Sequence, residues 1–287
     1  MKIRDIIDRE QETLSMEVFP PKKDTDFEMV KEAALHIASL KPSFMSVTYG
    51  AGGSTKGNTI KLASEIQKQY QVPAMAHLTC VCATKESINT ALTEMKQAGI
   101  ENILALRGDI SPDIKPNGRF HHANELIRFI YERYDFNIIA ACYPEGHPES
   151  KNIVADIENL KRKADAGASQ LVTQLFLDND YFYSFQERVA LAGINLPIEA
   201  GIMPVTNKKQ IERMVKLCGV HLPKKFMRVM DKYENNPEAL RDAGIAYAID
   251  QIVDLTAHGA DGIHLYTMNN PYVARKIYEA VHSMLKV

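Results

Sequence analysis

The chain reads as a (β/α)8 barrel folded as one domain. Two observations carry that expectation: eight short apolar runs recur along 287 residues, and a helical pattern follows each. Strand and helix alternating without interruption means parallel βαβ units, and eight such units in ~250 residues close into a barrel. No segment breaks the alternation to begin a second domain. A doubly wound open sheet is the alternative, and the unit count favours the barrel.

The runs are LSMEVF (14–19), FMSVTY (44–49), AMAHLTC (74–80), NILALR (102–107), NIIAACY (137–143), LVTQLF (171–176), IEAGIM (198–203) and GIHLYT (262–267). Helical segments are expected at 25–39, 54–70, 84–98, 122–134, 151–166, 179–192, 207–218 and 271–285. Clear stops stand at Ala98-Gly99, Ala166-Gly167, Ala192-Gly193, Cys218-Gly219 and His258-Gly259. The stretch from 204 to 260 is long and must hold two or three helices before the last strand.

Bulk composition excludes several classes. Hydrophobic residues make up 45% and charged residues 24%, ordinary for a globular protein. A net charge of −2 gives no basic surface for nucleic acid. No apolar run approaches the ~20 residues of a membrane span, and the charged start MKIRDIIDREQE is no signal peptide. The expected location is the cytoplasm. Four cysteines are too few for a disulfide scaffold at this length.

In a barrel of this kind the site lies at the C-terminal ends of the strands. Those ends carry Glu17, Thr48-Tyr49, His77 with Thr79, Arg107 with Asp109, Tyr143, Gln174 and Tyr266. Strands always meet polar loops at their ends, but Glu17, His77 and Gln174 fall inside their apolar runs. In SMEVFPP, Leu14, Met16 and Val18 alternate on one face; Ser15, Glu17 and Phe19 take the other. A carboxylate there is a misread strand, a paired structural charge, or an acid placed for chemistry.

Other candidates are weaker. Gly50-Ala51-Gly52-Gly53-Ser54 sits where a phosphate loop would, but lacks the pattern of either phosphate-binding motif and reads as a flexible βα loop. His77 faces opposite to Cys80 and Cys82 on an extended strand, so one metal ion could not easily take all three. His121-His122 reads as a solvated helix start. Asp156, Asn159 and Arg162-Lys163 fall on one helical stripe. That stripe is either a solvated charged face or a polar wall for a long ligand bearing phosphates and hydroxyls.

Nine short motifs, in order, resemble the flavin-dependent methylenetetrahydrofolate reductases: SMEVFPP, SVTYGA, HLTC, ALRGD, YPEGHPE, NLKRKADAGA, TQLF, GIMPV and HLYTMN. The likeness runs from about residue 14 to 285 and is to the compact bacterial form, so residues 1–287 are expected to be a catalytic barrel without a regulatory domain. The resemblance implies non-covalent FAD. Hydride would pass to 5,10-methylenetetrahydrofolate to give 5-methyltetrahydrofolate, in one-carbon metabolism and methionine supply. It implies electrons from NAD(P)H or a redox protein, and a homo-oligomer.

On that likeness Glu17 matches the general acid that protonates N10, with a pKa raised by the dry barrel mouth. Asp109 matches the carboxylate beside flavin and folate, with Gln174, Gln210 and Tyr266 as further substrate contacts. The FAD positions carried over are Thr48, Tyr49, Ala51, His77, Arg107, Gly108, Asp109, Ala123, Tyr143, His147, Asp156, Asn159, Arg162 and Lys163. Two positions depart: Asn270 stands where well-known members have arginine, and Met214 where they have phenylalanine. A flavin-free barrel lyase or aldolase is the competing enzyme class, although no lysine inside a strand run offers a Schiff base. A non-catalytic partner subunit is the third reading, against which the joint presence of Glu17, Asp109 and Gln174 argues.

Overall fold

The computed structural model describes residues 1–10, 12–21, 23–50, 56–109 and 120–286. Eight parallel strands close into a barrel in sequence order. They are β1 (Thr13–Val18), β2 (Phe44–Val47), β3 (Ala74–Thr79), β4 (Asn102–Leu106), β5 (Asn137–Cys142), β6 (Gln170–Thr173), β7 (Ile198–Ile202) and β8 (Gly262–Tyr266). The seam between β1 and β8 runs in register from Thr13↔Gly262 to Glu17↔Tyr266. Each predicted run is a strand, with ends shifted by up to three residues.

The helices are α1 (Arg4–Ile7), α2 (Phe27–Ala38), α3 (Lys56–Tyr70), α4 (Lys85–Gln97), α5 (Ala123–Tyr131), α6 (Ile153–Asp165), α7 (Asn179–Leu191), α8 (Lys208–Cys218), α9 (Lys224–Tyr233), α10 (Pro237–Ala257) and α11 (Pro271–Val281). Their boundaries follow local chemistry. Thr84 and Ser87 form a reciprocal capping box at α4. The side chains of Asn152, Asn236 and Asn270 accept from backbone N–H groups one turn into α6, α10 and α11. Gly99 and Gly167 end α4 and α6 with φ of 77° and 115°, a region that favours glycine. Asn270, the departure from the family pattern, therefore has a structural task as the cap of α11.

Two apolar layers follow from strand alternation. Leu14, Met16, Val18, Met45 and Val47 face the helices in the outer core. Phe44, Met75, Leu104, Ile139 and Val172 fill the barrel interior together with Ile3. The sequence reading gave residues 1–12 no element. In the structure Ile3, just before α1, is fully buried beneath the barrel, and the Ile3 N–H donates to Asn102 Oδ1 at 2.8 Å. The 204–260 stretch resolves into α8, α9 and α10, which build a separate small core around Phe226 and Met230. No described helix is long and apolar enough to cross a membrane.

Gly201 on β7 is fixed by a close approach. A Cβ there would meet the Thr173 carbonyl oxygen and come within 2.8 Å of the Tyr266 ring. Gly201→Ala should lower stability by about 1–3 kcal/mol, the usual penalty of forcing an extra carbon into packed structure. Thermal unfolding checks this; an unchanged Tm would mean β7 and Tyr266 separate freely.

Candidate active site

The interior face of β1 carries Thr13, Ser15 and Glu17 up the barrel axis. Glu17 is the uppermost, with its side chain 17% exposed. Three strands converge on its Oε2: the Ser46 hydroxyl of β2 donates at 3.1 Å, His77 Nε2 of β3 lies at 3.3 Å, and His264 Nε2 of β8 at 3.5 Å. The main chain is held as well, since the Thr267 hydroxyl donates to the Glu17 carbonyl at 2.6 Å. Glu17 is thus a real strand residue and a partnered one.

Its protonation differs from the expectation. Burial pushes the carboxyl up, as predicted, but the His264 and His77 imidazoles outweigh it and hold the pKa at about 2. The sequence reading counted the dry environment and not the two rings facing the acid. A carboxyl depressed from its ordinary 4.5 stabilises the fold above the unfolded value, and that contribution is lost as pH falls from about 4.5 toward 2. The difference in unfolding free energy between wild type and Glu17→Gln should therefore shrink by on the order of 3 kcal/mol between pH 6 and pH 2. Denaturant titrations at both pH values measure it; a constant difference would remove the ion-pair account.

Deeper in the barrel lies a second acid that the sequence reading missed. Glu199 of β7 is 1% exposed, accepts a hydrogen bond from the Thr13 hydroxyl at 2.7 Å and is hydrogen-bonded to Ser15 Oγ. Ser15 Oγ also lies 2.6 Å from His264 Nδ1. Burial pushes the Glu199 carboxyl up. Glu199 and His264 show the signal that exposed Glu17, a titratable residue inside an apolar run. Both lie in the body of their strands, Glu199 second in β7 and His264 third in β8, below the strand ends where a barrel site is expected.

Above this centre opens a cleft of about 390 Å³ lined by Glu17, Thr48, Tyr49, His77, Gly108, Asp109, Gln174 and Tyr266. Asp109 stands exposed at its mouth. Gln174 lies one residue beyond β6 rather than within it, and its side-chain oxygen accepts from the Leu175 N–H at 2.9 Å. The Tyr266 hydroxyl is committed to the Thr173 carbonyl at 2.6 Å, so Tyr266 offers the cleft its ring.

A second cleft of about 240 Å³ is lined by Ala123, Asp156, Asn159, Arg162 and Lys163, and the two clefts share Arg107, Tyr143 and His147. Arg107 forks onto Glu149 with bonds of 2.5 and 2.8 Å, and this carboxylate raises the guanidinium's pKa. Lys163 donates to the Ala141 carbonyl at 2.8 Å, and burial lowers its pKa. Asp156 is buried and accepts from the Ser150 hydroxyl at 2.7 Å. Arg162 bonds Asn159 at 3.0 Å. His147 stands edge-on to Tyr143, ring centroids 4.6 Å apart.

Every predicted site residue whose side chain is described lines one of these two clefts. Ala51, with most of the 50–54 loop, lies outside the described residues. Gln210 and Met214 sit on α8, but their side chains lie outside the described set. Cys80 packs beneath the His122 carbonyl, away from the interior face that carries His77. His121 and His122 are exposed at the start of α5, as expected.

Fold and site together define a barrel enzyme with a carboxylate–imidazole centre and a long polar cleft running off one side. Comparison with known proteins narrows the class. The family model described as methylenetetrahydrofolate reductase matches residues 2–282. The 5,10-methylenetetrahydrofolate reductase of Escherichia coli (strain K12) is 35% identical over 275 residues, covering 96% of this chain and 91% of that protein. Methylenetetrahydrofolate reductase (NADH) 1 of Arabidopsis thaliana is 37% identical over 283 residues; the match spans 93% of this chain but only 48% of the plant protein. Among solved structures, an uncharacterised protein from Clostridium thermocellum, described as binding two copies of 5-methyl-5,6,7,8-tetrahydrofolic acid, shares the fold with a TM-score of 0.69 at 15% identity, over 98% of each chain. The chain belongs to the methylenetetrahydrofolate reductase family.

Proposed function

We propose that the protein reduces 5,10-methylenetetrahydrofolate to 5-methyltetrahydrofolate through non-covalently bound FAD, with electrons from NAD(P)H or another reduced donor, and so supplies methyl groups for methionine. The barrel of residues 1–287 is the catalytic unit in this reading. The observation that carries it is the continuity of the two clefts, with Glu17 at one end and a cationic, hydroxyl-binding wall at the other.

The residues present suit FAD. Arg107, Arg162 and Lys163 offer cations for a diphosphate, and Lys163 is a partly desolvated ammonium whose nearest hydrogen-bond acceptor is a neutral carbonyl. Asp156 and Asn159 offer acceptors for ribityl or ribose hydroxyls. Thr48, Tyr49, His77 and Gly108 would flank the ring system in the central cleft. When bound, FAD supplies hydride transfer, chemistry that no amino-acid side chain performs.

The chain's own groups do the rest. Glu17 delivers a proton to N10 of the folate, which opens the five-membered ring to an iminium cation. Asp109, at the mouth, sets a negative charge beside that cation. Gln174 orients the pterin from the rim. The Tyr266 ring and Leu104 and Leu106 exclude water from the floor.

Arg162→Ala combined with Lys163→Ala should leave the fold intact and weaken FAD retention by tenfold or more, because two phosphate-suited cations are lost. Flavin stoichiometry after dilution and gel filtration reads this. Undiminished stoichiometry would move the diphosphate elsewhere. A flavin-free lyase, the competing reading, predicts a colourless protein that takes up no FAD at all.

A further inference from the structure

We propose that Glu199 is a buried proton store that reloads Glu17 through Ser15 and His264. The inference rests on the folate-reductase reading and explains what that reading leaves open. Glu17 must give a proton, yet its surroundings hold it ionised.

Four groups form an unbroken chain between the barrel's floor and its mouth. Glu199 Oε2 meets the Ser15 hydroxyl, Ser15 Oγ lies 2.6 Å from His264 Nδ1, and His264 Nε2 lies 3.5 Å from Glu17 Oε2. His264 is fully buried and Glu199 is 1% exposed, so both sit out of direct contact with bulk water. The two acids titrate in opposite directions: burial pushes Glu199 up, while the imidazoles bring Glu17 down to about 2. One proton shared by such a pair rests on the buried acid.

Hydrogen-bond polarity then fixes the resting state. Protonated Glu199 donates to Ser15 Oγ, the Ser15 hydroxyl donates to His264 Nδ1, and His264 Nε2–H points at the Glu17 carboxylate. Shifting each proton one step leaves Glu199 ionised and accepting from Ser15. Ser15 Oγ then accepts from Nδ1–H, and Nε2 accepts from a protonated Glu17. One proton has moved from floor to mouth, no net charge is gained, and every atom in the chain keeps a partner. After product leaves, water at the open mouth returns a proton to Glu17 and the chain runs back.

The groups around the chain fit this role. Thr13 of β1 donates to the other oxygen of Glu199, and Asp261, just before β8, raises its proton affinity. Around Glu17 stand Ser46 of β2, His77 of β3 and Tyr266 of β8. Such a store matters when bound ligands fill the cleft and cut Glu17 off from water.

Two variants and one spectrum test the store. Glu199→Gln keeps the shape, still accepts from Thr13 and can donate its amide N–H to Ser15 Oγ, but has no acid proton to give. Ser15→Ala keeps the carboxyl and cuts the chain. In both, single-turnover reduction of the folate by pre-reduced holoenzyme should slow by on the order of 10²-fold, within the range of lost general-acid catalysis. The rate should also fall with rising pH, because the proton must then come from bulk water. Reduction of the flavin by its donor should be unaffected. Infrared spectra of the holoenzyme at neutral pH should show the carbonyl band of a protonated carboxylic acid, absent in Glu199→Gln. If Glu199→Gln fails to fold, Ser15→Ala and the wild-type band decide alone. A wild type without that band, or a Ser15→Ala rate within threefold of wild type, overturns the store. Glu17→Gln serves as the control: if it retains folate reduction the parent reading fails, and if it alone loses it, only the store fails.

Discussion

Glu17→Gln should lose folate reduction by ~10²–10⁴ while keeping FAD and remaining reducible by its donor. The amide fills the same space and can still accept from the Ser46 hydroxyl. What disappears is, among the described residues, the only carboxyl that reaches the central cleft from inside the barrel. Glu199 cannot substitute, because it lies beneath His264 and lines neither cleft. The proton that opens the folate ring would have to come from water in a crowded mouth. Turnover within tenfold of wild type would contradict the assignment, and equal loss of flavin reduction would mean the substitution disturbed the whole site.

Asp109→Asn should split the two half-reactions. Asp109 follows Gly108, whose φ of 89° and whose closeness to Val81 and Thr79 leave no room for a side chain there. The turn therefore aims Asp109 at the cleft from the end of β4. Its charge would stabilise the cationic folate and oppose the arrival of electrons on the flavin. Without it, reduction by the donor should proceed as well or better, and the folate step should slow by roughly 10²–10³, the usual cost of one preorganised electrostatic contact. Stopped-flow absorbance of each half separates them. Equal slowing of both halves would make Asp109 a scaffold residue.

The barrel was legible because parallel strands covered on both faces read as apolar runs, and helices with capping residues and glycine stops punctuate them. The misses have physical causes. The run 171–176 overshot β6 because Leu175 and Phe176 are apolar for another reason: Leu175 packs on the small core built by α8, α9 and α10, and Phe176 packs in the main core beneath α7. Helix α1 was invisible because four residues carry no periodicity, and Ile3 owes its burial to the open floor of the barrel.

The structure puts Glu17 and His77 inside β1 and β3, where the sequence reads them, and Gln174 one residue beyond β6. The sequence did not show that His264 would face Glu17, because that contact joins residues 247 apart. With the partner unseen, the direction of the Glu17 shift was unreadable and was taken from burial alone. Glu149 lies in YPEGHPE with nothing local to mark it as the partner of Arg107; only the fold brings it to the end of β4. Asn270 shows the converse, a position that looked like a lost ligand contact and is a helix cap.

The most direct test mixes the anaerobically photoreduced, FAD-loaded protein with 5,10-methylenetetrahydrofolate and follows the flavin's visible absorbance. The oxidised spectrum should return in a single turnover, with one 5-methyltetrahydrofolate formed per flavin, in wild type and not in Glu17→Gln. A protein that binds no FAD, or whose reduced flavin stays bleached with the folate present, would contradict it.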